Sequence, residues 1–337
     1  MIQNTFYDIS KWKEQEHKKP SRGSRPNSVF LNPNNEKLYY FKQSNANYPS
    51  EIWCEIIAGK LGQLAGYNVL DYNVAIKDGV IGCLSESMIN GDDIEILHGV
   101  EILEDFVETF EITDKPIYSF QDVKLICNQQ VEREKEFLLK FIEIIFFDAL
   151  IGNTDRHSEN WAFSSRVYIE IPKLEHIENF WKRFAIQAVY GIALIALSND
   201  NLLPKKNFRW LEFLPIYDSG SCLGREIQEE KIDNYLLNPN KITKYINKGK
   251  SEIQWESEKI SLFDIAQKVY KSNKKIAQPL LTKLLSNISN SNIELLVNNI
   301  DNTLPKEYNQ FALPLKRKQL IITLLQKRLE RLKKLPL

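Results

Sequence analysis

The sequence has no excess of charge of either sign. Its 44 Lys and Arg residues balance 44 Asp and Glu residues across 337 positions. No overall field therefore draws the chain toward nucleic acid or an anionic membrane, and direct nucleic-acid binding is not expected. The charges are unevenly placed, because residues 86–114 are strongly acidic and residues 316–334 are strongly basic. The acidic run is either solvated surface or a docking region for a basic substrate.

Cysteine is scarce and does not occur in metal-binding pairs. The four cysteines, Cys54, Cys83, Cys127 and Cys222, are scattered without a C-x-x-C spacing. This pattern argues against a zinc site and against a disulfide framework. It suits the reducing conditions of a cytoplasm.

Long apolar runs are also missing. Residues 1–19 contain no apolar stretch of the kind found in a secretory signal. The longest apolar segment, residues 184–197, is too short to span a bilayer and includes Gln187 and Gly191. We expect a cytoplasmic protein without a membrane span, and export by a route that needs no visible signal is left open.

Aromatic and aliphatic residues are plentiful enough for a large interior. The hydrophobic share is 43%, with 17 Phe, 14 Tyr and 6 Trp residues, so a folded chain is expected rather than a disordered one. A chain of 337 residues exceeds a typical single core and should divide into two lobes.

The pattern of apolar residues and turn signals changes after about residue 90. The first part reads as a small sheet with one helix, and the second part reads as mainly helical. We therefore predict an α+β fold of the bilobal protein-kinase type, with an N-lobe at 1–90 and a C-lobe at 91–337. The expected elements are a polar, partly ordered entry segment at 1–20, strands at 28–31, 37–42, 68–76, 80–87, 161–164 and 213–217, helices at 50–64 and 132–150, an insertion at 164–212, and several helices between 260 and 334.

The most informative stretch is residues 144–163. An apolar helical run ends at Gly152, and a dense polar cluster follows at 153–160. Loops that leave a rigid buried helix commonly carry catalytic groups. Within the cluster, Asp155 and Asn160 have the spacing of the catalytic Asp and the metal-binding Asn in a kinase loop.

A second acidic element lies downstream in the segment Tyr217-Asp218-Ser219-Gly220, where an Asp follows an apolar stretch and precedes a Gly turn. Asp155, Asn160 and Asp218 follow one another in the order that a magnesium–nucleotide site needs. We assign proton acceptance from a substrate hydroxyl to Asp155, and magnesium binding to Asn160 and Asp218. A hydrogen-bonded surface turn is the alternative for the first cluster.

Three further parts of a phosphoryl-transfer site have candidates near the N-terminus. Lys42 ends a predicted strand and would contact nucleotide phosphates. Glu51 and Glu55 lie one turn apart on the next helix, and either could pair with Lys42; Glu55 is preferred because it lies deeper in the helix. Residues 21–28 would form the phosphate loop through Gly23 and Ser24, although this basic stretch contains no G-x-G-x-x-G motif.

The remaining candidates surround the nucleotide. Glu86 and Met88 would form the hinge between the lobes, with Met88 packing on adenine. Arg156 and His157 would orient the polar cluster or compensate its charge. His157 is not expected to bind metal, because no further His or Cys is suitably spaced.

Residues 150–161 together with 217–220 resemble the catalytic and metal-binding segments of HipA-like serine/threonine kinases. Residues 50–69 are similar to the N-lobe helix and following strand of that family, and the resemblance runs in patches from about residue 21 to 224. It implies a kinase fold that uses ATP and Mg²⁺. Asp155 matches the catalytic Asp of the family, Asn160 and Asp218 its metal ligands, and Lys42 its nucleotide Lys.

The resemblance also implies a protein substrate with a Ser or Thr acceptor. Several members are toxins of toxin–antitoxin pairs, so an antitoxin partner is implied. Some members are regulated by autophosphorylation of phosphate-loop serines, which makes Ser21, Ser24 and Ser28 candidate phosphosites. The chain begins close to the phosphate loop, as in the shorter HipT-type members. Its segment between Asn160 and Asp218 is longer than is usual in the family, and it is expected to cap the C-lobe or to bind a substrate or a partner.

Two other functions stay open at this stage. A lipid or small-molecule kinase of the phosphoinositide-kinase-like type would use a related Asp-Arg-His arrangement, and fold analogy does not choose the substrate. A catalytically weak interaction protein with a kinase fold would lack one chemical group, whereas each group has a candidate here. The basic helix at 316–334 could bind a membrane surface or nucleic acid, but packing of its leucines on the C-lobe is the more common arrangement.

Overall fold

The computed structural model describes residues 4–15, 28–89, 94–110, 113, 116–129, 134–167 and 209–335. Two features organise these residues, namely a six-stranded sheet near the N-terminus and a helical body in the remainder. A mixed α+β fold is thereby confirmed. Among the described helices, none is both long and apolar enough to cross a membrane.

The N-terminal sheet has the strand order β1-β5-β6-β4-β3-β2. All neighbouring strands are antiparallel except β1 and β5, which are parallel. The predicted hairpin at 28–42 and the two later strands are confirmed. The strands are β1 (Phe6–Asp8), β2 (Lys13–Gln15), β3 (Ser28–Leu31), β4 (Leu38–Gln43), β5 (Tyr72–Lys77) and β6 (Val80–Glu86).

The predicted entry segment contains two short strands that were not predicted, β1 and β2, which extend the sheet at both edges. Each strand has only three residues, too few for an alternating pattern to be recognised in the sequence. The tertiary structure holds this segment instead. The Asn4 side chain donates to the carbonyl of Ile300 over 2.9 Å and accepts from the N–H of Val74 over 3.1 Å. Ile9 is fully buried.

The first helix, α1 (Glu51–Ala65), is buried around nearly its whole circumference, between the sheet and the helical body. Two of its glycines allow close approach of the following chain, since a Cβ atom on Gly62 would lie 2.3 Å from a methyl carbon of Val69. The helix ends at Gly66, whose φ of +75° favours glycine. Because the helix is fully enclosed, it can carry charged residues into the interior only where they have partners.

A second, three-stranded antiparallel sheet has the order β10-β9-β7. Its strands are β7 (Glu95–His98), β9 (Ala162–Val167) and β10 (Arg209–Phe213). β7 was not predicted, and the strand expected at 213–217 ends at Phe213, with only Ile216 bridging onward to Val69. The chain leaves β9 after this point, because Ile216 forms main-chain hydrogen bonds with Asn68 and Leu70 instead. Most of the expected insertion, 168–208, lies outside the described residues.

The helical body surrounds α4 (Glu134–Ile151), which carries the apolar run noted in the sequence and is largely buried. A short parallel pair, β8 (Tyr118–Ser119) and β11 (Ile253–Gln254), joins two of its parts. The other helices are α2 (Gly99–Phe106), α3 (Phe120–Gln129), α5 (Ile232–Leu236), α6 (Pro239–Lys248), α7 (Leu262–Ser272), α8 (Lys274–Asn287), α9 (Asn290–Asn298) and α10 (Leu315–Leu332).

The basic C-terminal helix α10 packs its apolar stripe into this body. Six aliphatic side chains of the stripe are buried, so they are not displayed for a membrane surface, and the expectation of a packed helix is confirmed. Arg317 and Arg328 are buried with the stripe, each 2% exposed. The buried aliphatic residues are Leu320, Ile321, Leu324, Leu325, Leu329 and Leu332.

Candidate active site

The polar loop (residues 153–160) begins where α4 stops. Gly152 has a φ of +75°, and the N–H groups of Gly152 and Asn153 both donate to the carbonyl of Asp148. A Cβ atom on Gly152 would lie 2.6 Å from the guanidinium of Arg328. Glycine is therefore required here both by the backbone conformation and by the space. The buried helix fixes the starting point of the polar loop.

Arg156 is the centre of a buried network that joins two loops. Its guanidinium forms a two-pronged ion pair with Asp148 of α4, with Nε–Oδ2 at 3.0 Å and Nη2–Oδ1 at 2.9 Å. It also donates to the carbonyls of Asn160 at 2.8 Å and Tyr217 at 2.6 Å, and to the hydroxyl of Ser219 at 3.1 Å. Arg156 is 1% exposed. One side chain thus ties the polar loop to the Asp218 loop (residues 217–221).

Inside the polar loop, Asp155 and Asn160 are linked to each other. The Asn160 side chain donates through Nδ2 to the main-chain carbonyl of Asp155 over 2.7 Å. Its Oδ1 is then the atom of that amide able to bind a cation. The main-chain N–H of Asp155 donates to Oδ1 of Asn153 over 3.1 Å. The five-residue spacing therefore closes a turn that places both side chains on one loop.

Asp218 is brought to Lys42 and Glu55 from a distant part of the chain. Lys42 Nζ forms an ion pair with Asp218 Oδ1 and a second one with Glu55 Oε2, the latter at 3.4 Å. The N–H of Asp218 donates to the hydroxyl of Tyr72 over 3.3 Å. Asp218 adopts the left-handed backbone region with a φ of +49°, which is uncommon for a residue with a side chain.

Glu55 also organises the Asp218 loop. Its Oε1 accepts the main-chain N–H of Ser219 over 2.6 Å, and it is 1% exposed. A Cβ atom on Gly220 would lie 2.8 Å from Glu55 Oε2. Gly220 therefore permits the close contact between this loop and α1. The other helix carboxylate, Glu51, forms an ion pair with Arg225 at 2.9 Å, so the structure places Glu55 rather than Glu51 beside Lys42.

The charges in this cluster are strongly coupled. Burial alone would raise the pKa of the Asp218 carboxyl, but the charge of Lys42 outweighs this effect and the net pKa is lowered. For Lys42, desolvation lowers the pKa, yet Asp218 and Glu55 together raise it above its ordinary value. Burial raises the pKa of Glu55 despite the favourable field of Lys42. The cluster therefore holds Lys42 protonated and Asp218 ionised.

Asp218 also faces an opening. Of its side-chain surface, 43% is accessible, compared with 20% for Lys42. Among the described residues no group of three or more His, Cys, Asp or Glu could hold a metal ion. These residues therefore do not suit a metal ion whose ligands all come from the protein. Mg²⁺ takes one or two protein oxygens and keeps water or phosphate as its other ligands, so Asn160 and Asp218 fit it.

The predicted hinge lies at the end of β6. Met88 is half-buried and packs against a small apolar cluster formed by Ala162, Leu214 and Tyr217. Glu86 pairs with Lys37 through its carboxylate at 2.6 Å. A contact from Glu86 to a nucleotide would therefore have to use its main chain, whereas Met88 presents its side chain beside the Asp218 loop.

The remaining candidates lie beside this cluster or outside the described residues. His157 is half-exposed on the polar loop and accepts the N–H of Glu159 through Nδ1 over 3.3 Å. Ser28 begins β3, where it pairs with Phe41 of β4. Gly23, Ser21 and Ser24 lie outside the described residues.

The sequence interpretation missed several residues that contact the polar loop or the Asp218 loop. Asp148 was counted within an apolar run, although a lone carboxylate in such a run is itself a signal for a buried partner. Ser221 donates to Oδ2 of Asp155 over 2.8 Å and carried no signal in the sequence. His98 lies with Nδ1 2.9 Å from the hydroxyl of Tyr217, which itself donates to the carbonyl of Glu159 over 2.7 Å.

No family model matches the sequence, and no curated protein matches it. Solved structures do match. The Helicobacter pylori proinflammatory kinase CtkA superimposes with a TM-score of 0.67 over 96% of this chain and 94% of that chain, at 17% sequence identity. The HipA chain of a Shewanella oneidensis toxin–antitoxin complex with HipB and operator DNA superimposes with a TM-score of 0.51, at 12% identity. That match covers 94% of this chain and 66% of the HipA chain.

These similarities concern the fold. The chain has a kinase-like α+β fold that resembles CtkA and HipA, so the resemblance drawn from residues 150–161 and 217–220 is confirmed at that level. At such low identity the comparisons do not assign a role to any residue. The roles below rest on the geometry of the site.

Proposed function

We propose that this chain is an ATP- and Mg²⁺-dependent phosphotransferase, and specifically a serine/threonine protein kinase of the HipA-like type. One observation carries the proposal. Lys42 of the sheet contacts both Glu55 of α1 and Asp218, while Arg156 ties the loop bearing Asp155 to the loop bearing Asp218. Residues from four separate chain segments thus form the set of groups that phosphoryl transfer requires.

The residues divide into nucleotide-binding and metal-binding groups. When bound, Mg–ATP would supply the phosphoryl group and the divalent charge that offsets negative charge in the transition state. Lys42 would bind the phosphates and is oriented for this by Glu55. Asn160 and Asp218 would bind Mg²⁺ through oxygen atoms. Met88 would pack on the adenine, and Gly23 and Ser24 would contribute to the phosphate loop.

Asp155 would accept the proton of the acceptor hydroxyl, a role that typically contributes about 10²–10⁴-fold in rate. Arg156 does not reach a substrate, since it is buried beneath both loops. It would hold the loop that carries Asp155 and Asn160 in place against the loop that carries Asp218. His157 is half-exposed and would compensate charge at the edge of the site.

We propose a protein substrate with a Ser or Thr acceptor, as implied by the resemblance of residues 150–161 and 217–220 to HipA-like serine/threonine kinases. The fold shared with the kinase CtkA supports phosphotransfer but does not choose the acceptor. HipA belongs to a toxin–antitoxin system, and by analogy we propose a toxin role with an antitoxin partner for this chain. We also propose autophosphorylation at Ser21, Ser24 or Ser28. Peptide mass spectrometry after incubation with Mg–ATP tests it, and the absence of phosphate from all three would remove this part.

The decisive assay measures transfer of label from [γ-³²P]ATP with Mg²⁺ to dephosphorylated casein or myelin basic protein. Wild type should transfer label, and Asp155→Asn and Asp218→Asn should lose at least about 100-fold of the rate. Asp233→Asn is the matched control, since this exposed carboxylate pairs with the equally exposed Lys316. Equal labelling by all four proteins would refute the site assignment. Transfer only to phosphatidylinositol vesicles would replace the protein-kinase proposal with a lipid-kinase one.

A further inference from the structure

The carboxylate of Asp155 has one hydrogen-bond donor among the described residues. Ser221, from the Asp218 loop, donates through its hydroxyl to Oδ2 of Asp155 over 2.8 Å. The other bonds of Asp155 involve its main chain, with the N–H donating to Asn153 and the carbonyl accepting from Asn160. The backbone of Asp155 is therefore fixed by its own loop, whereas the orientation of its carboxylate depends on Ser221.

The backbone on both sides of Ser221 is anchored without help from its hydroxyl. Gly220 lies against the carboxylates of α1, with no room for a Cβ atom. The N–H of Leu223 donates to the carbonyl of Ile151 over 3.0 Å. Cys222 is buried, with its sulfur 3.9 Å from the carbonyl of Cys54. Loss of the Ser221 hydroxyl would thus leave the main chain in place.

We propose that Ser221 is a positioning residue that holds Asp155 in the orientation needed to accept a proton. This inference rests on the proposed function. By occupying Oδ2, the Ser221 hydroxyl would leave Oδ1 of Asp155 for the acceptor hydroxyl. The same bond links the base to the Asp218 loop, so that base and metal ligand are held at a fixed separation. A displacement of about 1 Å in such a group can lower a rate by about 10²-fold.

The Ser221–Asp155 hydrogen bond allows a second interpretation. Its length of 2.8 Å is also the distance at which a base takes a proton from an acceptor hydroxyl. Ser221 would then be a phosphorylation site. We favour positioning because Gly220 and Leu223 are both held against buried elements, which leaves Ser221 little freedom to move toward a phosphoryl group. The experiment distinguishes the two roles.

The test compares wild type with Ser221→Ala, Ser221→Thr, Asp155→Asn and the double variant Asp155→Asn/Ser221→Ala. Transfer from Mg–[γ-³²P]ATP to dephosphorylated casein or myelin basic protein is measured as kcat and KM. Ser221→Ala should lower kcat by about 10- to 100-fold. Its KM for ATP and its Tm should not change, because the hydroxyl acts on the carboxylate alone. Ser221→Thr keeps the hydroxyl and should restore most of the rate.

The double variant tests most directly whether Ser221 acts through Asp155. If Ser221 acts through Asp155, adding Ser221→Ala to Asp155→Asn should cause no further loss. Ser272→Ala is the control, since the Ser272 hydroxyl is bonded on an exposed helix end far along the chain. An unchanged kcat in Ser221→Ala, a further loss in the double variant, or phosphoserine at position 221 would each overturn the inference. A wild type without any transfer would instead contradict the proposed function itself.

Discussion

Replacing Arg156 with Ala should destabilise the whole protein, and not only its chemistry. Arg156 is 1% exposed and its ion-pair partner Asp148 is 2% exposed. Removing the guanidinium would leave the Asp148 carboxylate charged and buried, and among the described residues its remaining hydrogen-bond donor would be the Asn153 side chain at 3.2 Å. It would also remove the donor to the carbonyls of Asn160 and Tyr217.

The expected change in Tm follows from the free-energy cost of breaking a buried ion pair. Breaking one by removal of a single partner costs about 3–5 kcal/mol. In a large domain, 1 kcal/mol corresponds to roughly 2 °C in Tm. We therefore expect Arg156→Ala to lower Tm by roughly 6–10 °C. Arg156→Lys keeps the charge but cannot form the two-pronged contact, so it should fall between wild type and Arg156→Ala.

Differential scanning calorimetry measures this change directly. Lys259→Ala is the control, because its pair with Glu252 is exposed on both sides and such pairs contribute about 0–1 kcal/mol. The reasoning would be refuted by an Arg156→Ala protein whose Tm lies within 2 °C of wild type, or by a Lys259→Ala protein that is equally destabilised.

Two further predictions concern the ends of the site. Gly152→Ala should lower the free energy of unfolding in urea by at least about 1 kcal/mol more than Gly79→Ala does. Both glycines have a positive φ, but only at Gly152 would the added Cβ atom meet the buried Arg328. Equal urea midpoints at equal m-values would contradict this. Lys42→Met should lower phosphoryl transfer by at least about 100-fold in the labelled-ATP assay, because Lys42 is the cation between Glu55 and Asp218; retention of most of the rate would show that another cation binds the phosphates.

The parts of the candidate site whose spacing is short could be predicted from the sequence. Asp155 and Asn160 lie in one turn, and a Gly stops the helix before them, so local rules apply. Asp218 was predicted because an apolar stretch precedes it and a Gly turn follows it. The choice of Glu55 over Glu51 followed from depth along one helix, and the structure brings Glu55 to Lys42.

The residues that were missed act across long distances in the chain. Asp148 and Arg156 belong to one helix–loop unit, but the contacts of Arg156 with the Asp218 loop span about 60 residues. The Ser221–Asp155 bond has the same character. Such contacts depend on how the two loops pack in the folded structure, and the periodicity of the sequence does not predict that packing.

The strands that were not predicted are short, and their formation also depends on distant parts of the chain. β1 and β2 have three residues each, and β7 has four, so their apolar patterns are too short to stand out. They form because neighbouring strands offer unpaired main-chain groups. By contrast α1, α4 and α10 are long, and their apolar residues were sufficient to predict them.

The central claim is that Lys42, Asn160 and Asp218 bind a magnesium–nucleotide together. Isothermal titration calorimetry with the non-hydrolysable analogue AMP-PNP tests it most directly, on wild type and Asp218→Asn, with Mg²⁺ or with EDTA. Wild type should bind with measurable heat in the presence of Mg²⁺, and removal of the metal or of the Asp218 charge should weaken binding by at least about tenfold, or 1.4 kcal/mol. No heat with wild type, or equal affinities under all conditions, would contradict the account.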